Sequence, residues 1–155
     1  MSSPSILWFR QDLRLHDQAA LVAAAGEGAF VPIYILDDDT PGDRLMGGAQ
    51  RWWLHHSLER LKAALPNLVL RRGNSMAELA KLAAELGTTR IHAIRHYEPW
   101  WREAESGLAT EFDLVLHGGN HLALPETVLT GGGTRYKVFT PWWRALLEKM
   151  PPAKP

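Results

Sequence analysis

Leu7-Trp8-Phe9-Arg10-Gln11-Asp12-Leu13-Arg14-Leu15-His16-Asp17 decides the reading of this chain. An apolar strand over Ser5–Phe9 runs into two arginines and two aspartates, and a helix follows at once. In an open α/β sheet, the end of the first strand is where ligands are met. Most nucleotide-binding domains place glycines there, so that phosphate can touch the backbone. Paired charges in that position argue against an ordinary dinucleotide site. Arg10, Asp12, Arg14 and Asp17 read as an ion-pair network that fixes the turn, with Arg10 the member most open to a ligand role.

Outward from this stretch, the elements alternate. Asp17–Ala25 reads as an alanine-rich helix with Asp17 as its N-cap. Phe30–Leu36 reads as a buried strand, with Pro32 near its start where a lost donor costs least. A long helix from Gly48 to Leu65 is stopped by Pro66. Leu68–Arg71 is a strand, Ser75–Leu86 a helix closed by Gly87, and Arg90–Arg95 a fourth strand. Pro99–Thr110 is a helix with proline in its first turn, and Asp113–His117 is the fifth strand. The pattern predicts a Rossmann-like α/β fold: an open five-stranded parallel sheet with helices on both faces. Phe9, Leu36, His96 and His117 are expected near its C-terminal edge.

Residues 118–134, with Gly118-Gly119 and Gly131-Gly132-Gly133, read as a mobile loop or linker. Residues 141–150 read as a helix cut off by Pro151-Pro152-Ala153-Lys154-Pro155. A short helix after a completed α/β unit has little to pack on. Residues 1–117 are therefore expected as the domain core, and 118–155 as a linker into further chain of a longer protein.

Composition narrows the function classes. A length of 155 residues suits one domain, and 46% hydrophobic residues with seven tryptophans can build a sizeable core. Seventeen basic residues balance seventeen acidic ones, so the chain shows no surplus for gripping DNA by itself. The absence of cysteine excludes disulfides and thiolate metal sites. No apolar run approaches the ~20 residues that span a bilayer, and no signal pattern opens the chain. A cytoplasmic protein with no membrane partner is expected.

The candidate residues gather at strand ends. The second strand closes in Ile35-Leu36-Asp37-Asp38-Asp39, and adjacent carboxylates repel unless a cation or donor is near. Asp37 is expected beside Arg10 or Arg51, or accepting from the ring N–H groups of a ligand. Gly47-Gly48 precede the long helix, whose positive N-terminus Arg51 points back toward. The tryptophans come as the pairs Trp52-Trp53, Trp100-Trp101 and Trp142-Trp143. Neighbours on a helix diverge by ~100°, so one of each pair is expected in the core and the other at a pocket or interface. His92 and His96 lie ~13 Å apart along a strand, and the adjacent His55 and His56 diverge on a helix. No metal site is expected. With no partnered nucleophile and no phosphate-cradling loop, no catalytic residue is expected either. Arg10, Leu36, Asp37, Arg51, Tyr97, Glu98 and Trp101 lie where this topology makes strand ends and first helical turns converge, and are expected to line a binding groove.

The run from Trp8 to Asp17 resembles the opening signature of the DNA photolyase and cryptochrome family almost residue for residue. Tyr136-Lys137-Val138-Phe139-Thr140-Pro141-Trp142-Trp143 is similar to the stretch with which members leave their α/β domain. Tyr97-Glu98 and Gln50-Arg51 agree more loosely. The resemblance spans nearly all of this chain but only the opening domain of a family protein. It implies the N-terminal light-harvesting domain of a deoxyribodipyrimidine photolyase, catalytically incomplete alone, or of a cryptochrome-type blue-light receptor.

Family photolyases repair ultraviolet-induced pyrimidine dimers with light-excited FAD. The FAD and the flipped-out lesion belong to a helical C-terminal domain beyond these residues. That domain is the implied partner, and dimer-containing DNA is reached through it. The groove at the strand ends is implied to hold an antenna chromophore, a deazaflavin, flavin or folate. Folate-binding members carry an Asn-Glu pair where this chain has Trp100-Trp101, which weighs against folate. By itself the chain is expected neither to bind nor to repair a dimer, and to expose Trp142 and Trp143 where the helical domain docks. The rival readings are a stand-alone nucleotide- or flavin-binding module and an interaction domain whose tryptophans dock a partner.

Overall fold

In the computed structural model, which describes residues 3–151, five strands lie side by side and parallel. They are β1 (Ser5–Phe9), β2 (Phe30–Leu36), β3 (Val69–Arg72), β4 (Arg90–Ile94) and β5 (Asp113–His117), in the order β3-β2-β1-β4-β5. Phe9 stands beside Tyr34, and Trp8 lies between Ile33 and Ala93. The crossovers are α1 (Ala19–Glu27), α2 (Gly48–Ala64), α3 (Ser75–Leu86) and α4 (Pro99–Glu111). Alternation along the central strand sorts two cores. Ile6 and Trp8 pack with Leu79, Leu82, Ala104 and Leu108 of α3 and α4. Leu7 and Phe9 pack with Ala20, Ala24 and Leu61 of α1 and α2. The order of strands reverses between β1 and β4, which makes their C-terminal ends a switch point for ligand binding.

The edge strands are short and charged. β3 has four residues and ends in Arg71-Arg72, which pair with Glu85 at 2.7 Å and Asp38 at 3.2 Å. At the other edge, Arg90 joins Asp113 at 2.7 Å and also holds Glu27 at the end of α1. The buried His92 lies 3.0 Å from Glu27 through Nε2 and 3.0 Å from His117 through Nδ1. A carboxylate can only accept, so His92 Nε2 donates to Glu27. Hydrogen bonds from Arg90 and then His92 bring the Glu27 carboxyl down to about 2. This cluster bolts the last turn of α1 to β4 and β5.

Several expectations need correction. Asp17 does not cap α1; it takes the left-handed conformation at φ 52°, and Gln18 caps instead, accepting from the Leu21 N–H at 2.9 Å. The turn out of β1 needs that reversal before the helix starts. Element ends shift by one to a few residues: β3 begins at Val69, β4 stops at Ile94, and the last helix, α5, spans Phe139–Leu147. Residues 118–134 hold a short 3₁₀ turn at Pro125–Thr127, and Leu129 bridges Arg135. Val128 and Leu146 are buried, and Leu122 shares a cleft with Trp142 and Leu146, so this segment folds with α5. Arg14 pins its start, donating to the carbonyls of Asp17 at 3.1 Å and Gly119 at 2.8 Å.

The tryptophan pairs divide unevenly. Trp101 is buried and Trp100 half-buried, as the pairing rule predicts. Trp142 is half-buried, while Trp143 is 39% exposed. Trp52 and Trp53 are both exposed, at 62% and 71%. Helix α2 fully buries only Leu61, near its far end, and in its first two turns only Arg51 and Leu54 are half-buried. Among the described residues, no helix is long and apolar enough to cross a membrane.

Candidate functional site

A groove of about 830 Å³ opens at the C-terminal edge, between the ends of β1 and β2 and the starts of α2 and α4. Trp8 and Arg10, neighbours on the same side of β1, form its floor. The Arg10 guanidinium lies 4.4 Å over the Trp8 ring, and Trp101 meets Trp8 edge-on at 6.1 Å. Trp100, covered by Arg44 at 5.4 Å, forms one wall, and Gln50 and Trp53 from the open turns of α2 form another. Such a volume falls within the range of small-molecule pockets.

Arg10 is almost fully buried. Its Nη2 donates to Glu105 at 2.7 Å and to the Ile94 carbonyl. Burial lowers its pKa, against the raising effect of Glu105 and then Asp12. Glu105 also accepts from the His96 N–H at 3.0 Å, so one acid ties the end of β4 to the end of β1. Four nitrogens of residues lining this groove, Arg10 Nε and Nη1, Trp8 Nε1 and Trp100 Nε1, are buried and find no hydrogen-bond partner among the described residues. All four are donors. Tyr34, also in the wall, keeps its hydroxyl proton, because burial and then the charge of Asp38 push it up to about 12.

The seven expected residues do not share one cavity. Arg10, Asp37 and Trp101 line the main groove. Leu36 and Arg51 line a neighbouring groove of about 420 Å³, on the β3 side. Tyr97 and Glu98 line a third, of about 510 Å³, with His96 and His121 on the β5 side. Arg51 pairs with Asp38 at 2.6 Å and with the Met46 carbonyl, so Asp37 faces neither Arg51 nor Arg10.

Asp37 instead accepts four hydrogen bonds within the fold. They come from the N–H groups of Asp39, Thr40 and Ser75 and from the Thr40 hydroxyl, all within 2.9 Å. Burial opposes ionisation, yet the bonds from Ser75 and Thr40 outweigh it and hold the carboxyl below its ordinary value. Its lone pairs are spent on knotting the end of β2 to the start of α3. Asp12 is structural too, accepting from the Arg10 N–H at 3.2 Å and from Gln18 at 2.6 Å. Glu105, absent from the sequence expectations, has a legible signal. It stands four residues after Trp101 and three before Leu108, an acid on the buried stripe of α4.

The site also sets an acid sensitivity. Burial, then the Arg10 charge, holds His96 below its ordinary value, against the opposing pull of Glu98, Asp12 and Glu105. His117 is lowered by burial and then by His92. The unfolded chain therefore binds protons that the fold refuses. Stability is fully present above about pH 6.5 and is lost as pH falls through the lower folded values. For His96 the slope reaches at most about 1.4 kcal/mol per pH unit, and for the more exposed His117 it is smaller. Urea unfolding at pH 8, 7, 6 and 5 should show this loss, and His96→Phe should flatten it. An unchanged slope in that variant would remove His96 as the cause.

Comparison with known proteins follows the same lines. The family model described as DNA photolyase matches residues 5–155. A deoxyribodipyrimidine photo-lyase of Agrobacterium fabrum is 36% identical over 155 residues, covering 94% of this chain and 32% of the relative. Cryptochrome-2 of Arabidopsis thaliana is 26% identical over 162 residues, covering 96% of this chain and 26% of the relative. The crystal structure of a bacterial class III photolyase from Agrobacterium tumefaciens superposes with a TM-score of 0.86 at 34% identity. That superposition covers 98% of this chain and 33% of the photolyase. The chain thus spans about a quarter to a third of the length of these relatives.

Proposed function

The chain belongs to the DNA photolyase family, and on that premise we propose that it is the light-harvesting domain of an enzyme that repairs pyrimidine dimers in DNA. The supporting observation is the aromatic groove at the switch point, with its four unpaired donors. The residues of this groove would hold an antenna chromophore, which would supply light absorption and excitation transfer to an FAD. The chain's own part is to hold a flat ring and keep water away. Trp53, Trp100 and Trp101 offer aromatic walls. The unpaired guanidinium and indole nitrogens of Arg10, Trp8 and Trp100 are buried, and a ring edge carrying acceptors, as deazaflavin, flavin and pterin rings have, would reach them through side-chain movement. Ser57 in the wall donates to the Trp53 carbonyl at 2.9 Å rather than to a base, so it is not set up to attack the ring.

The exposed face of α5 and its approach, with Val138 and Phe139 at 63% and 67% and Leu147 at 49%, is the proposed dock for the FAD-binding portion. Phe139 and Trp143 stack there at 6.1 Å. The match to Cryptochrome-2 favours a second reading, in which the same groove serves a blue-light receptor. A dimer-repair assay on the full-length protein separates the two.

The groove is tested by titrating the chain with a deazaflavin, a flavin and a reduced folate in parallel, followed by fluorescence. One of the three should bind saturably. Trp53→Ala, an exposed wall change, should weaken that binding by about fivefold or more, the equivalent of ~1 kcal/mol of aromatic contact. Saturable binding that ignores both Trp53→Ala and Trp101→Ala would place the chromophore elsewhere. No binding in any arm would overturn the antenna reading.

A further inference from the structure

The middle of α2 presents His55, His56 and Glu59 to solvent, and we propose that these three side chains form a binding site for a borderline divalent transition metal such as Cu²⁺, Ni²⁺ or Zn²⁺. Among the described residues, they are the one group of three or more metal-ligating side chains whose ligand atoms all lie within 4.8 Å of one another. Sequence spacing predicts divergence, since consecutive helical residues point ~100° apart. The structure shows convergence, with the two imidazole centroids 5.1 Å apart. Glu59, one turn on, draws both rings in: His56 Nδ1 lies 2.8 Å from its Oε2, and His55 Nε2 lies 3.4 Å from its Oε1.

The carboxylate thus engages His56 directly and lies beside His55 before any ion arrives. Two donors each ~2.1 Å from one ion stand up to ~4.2 Å apart, so small rotations of three exposed side chains close the set. Two imidazoles and one carboxylate select borderline ions over Mg²⁺ and Ca²⁺, which demand oxygen shells. Exposure of 50–66% keeps the cost of desolvating the ligands low and leaves the remaining coordination positions to water. Arg60 is the cationic neighbour whose field opposes entry. Trp52 sits 4.6 Å from the His56 ring and Trp53 6.4 Å from Trp52, so a bound paramagnetic ion has a fluorescent reporter beside it.

The test is Cu²⁺ titration of the tag-free chain, read by tryptophan fluorescence and by calorimetry. One Cu²⁺ should bind per chain and quench the emission, with Ni²⁺ and Zn²⁺ competing and millimolar Mg²⁺ not. His55→Ala and His56→Ala should each weaken binding by at least the roughly 10–100-fold that disturbing even the outer shell of a metal site costs. His16→Ala, an exposed histidine outside the cluster, should not. All three positions are exposed, and unchanged thermal melts verify that the variants fold. Affinity within twofold of the parent in both His55→Ala and His56→Ala, or equal competition by Mg²⁺, would overturn the proposal.

Discussion

Replacing Glu105 by alanine should cost the fold about 3–5 kcal/mol, the range found when one partner of a buried ion pair is removed. The side chains of Arg10 and Glu105 are 4% and 6% exposed. Without the acid, the guanidinium keeps only the Ile94 carbonyl as a hydrogen-bond acceptor among the described residues, and the His96 N–H loses its acceptor. In a chain of this size the melting temperature should fall by roughly 6–20 °C. Glu105→Gln retains an acceptor for the His96 N–H and should cost less. The double replacement Arg10→Leu with Glu105→Leu removes both desolvated charges and should recover much of the loss, because the expense lies in the stranded charge rather than in the missing attraction. Denaturant unfolding of the three variants decides it. A loss under about 1 kcal/mol for Glu105→Ala would mean that water reaches Arg10.

Asp37→Ala should be the second large effect, at about 3 kcal/mol, since it leaves the buried Ser75 N–H without its acceptor and frees the Thr40 turn. Asp37→Asn should also be costly, because an amide presents donors where the fold supplies only donors. Equilibrium unfolding measures the cost, and amide exchange at Ser75 and Thr40 locates it. A change below about 0.5 kcal/mol would show that the knot between β2 and α3 contributes little.

The parallel sheet was legible because its signals are local. Strands of four to seven residues with short apolar runs alternate with helices, and polar residues follow the apolar runs. Phe9, Leu36 and His117 do end their strands, and His96 follows the fourth. The groove was legible only in part, because which strand ends face each other depends on twist and crossover. Arg10 and Trp101 come together, whereas Arg51 and Tyr97 fall to either side of them. Asp37 looked available because its four donors lie in the following turn and at the start of α3, and no spacing rule connects Asp37 to Ser75. The exposure of Trp52 and Trp53 follows from α2 outrunning the sheet, a matter of how far a helix overhangs rather than of its periodicity.

An open sheet has two borders where a foreign strand could add itself. Here one border is a four-residue strand closing in two arginines already engaged by carboxylates, and the other is a five-residue strand opening on an aspartate held by Arg90. Short, charged borders are poor templates for main-chain zippering. The chain can therefore carry a greasy, stacked face on its last helix without inviting fibrils. Any sticking between copies is channelled into side-chain contacts, which dilution can undo.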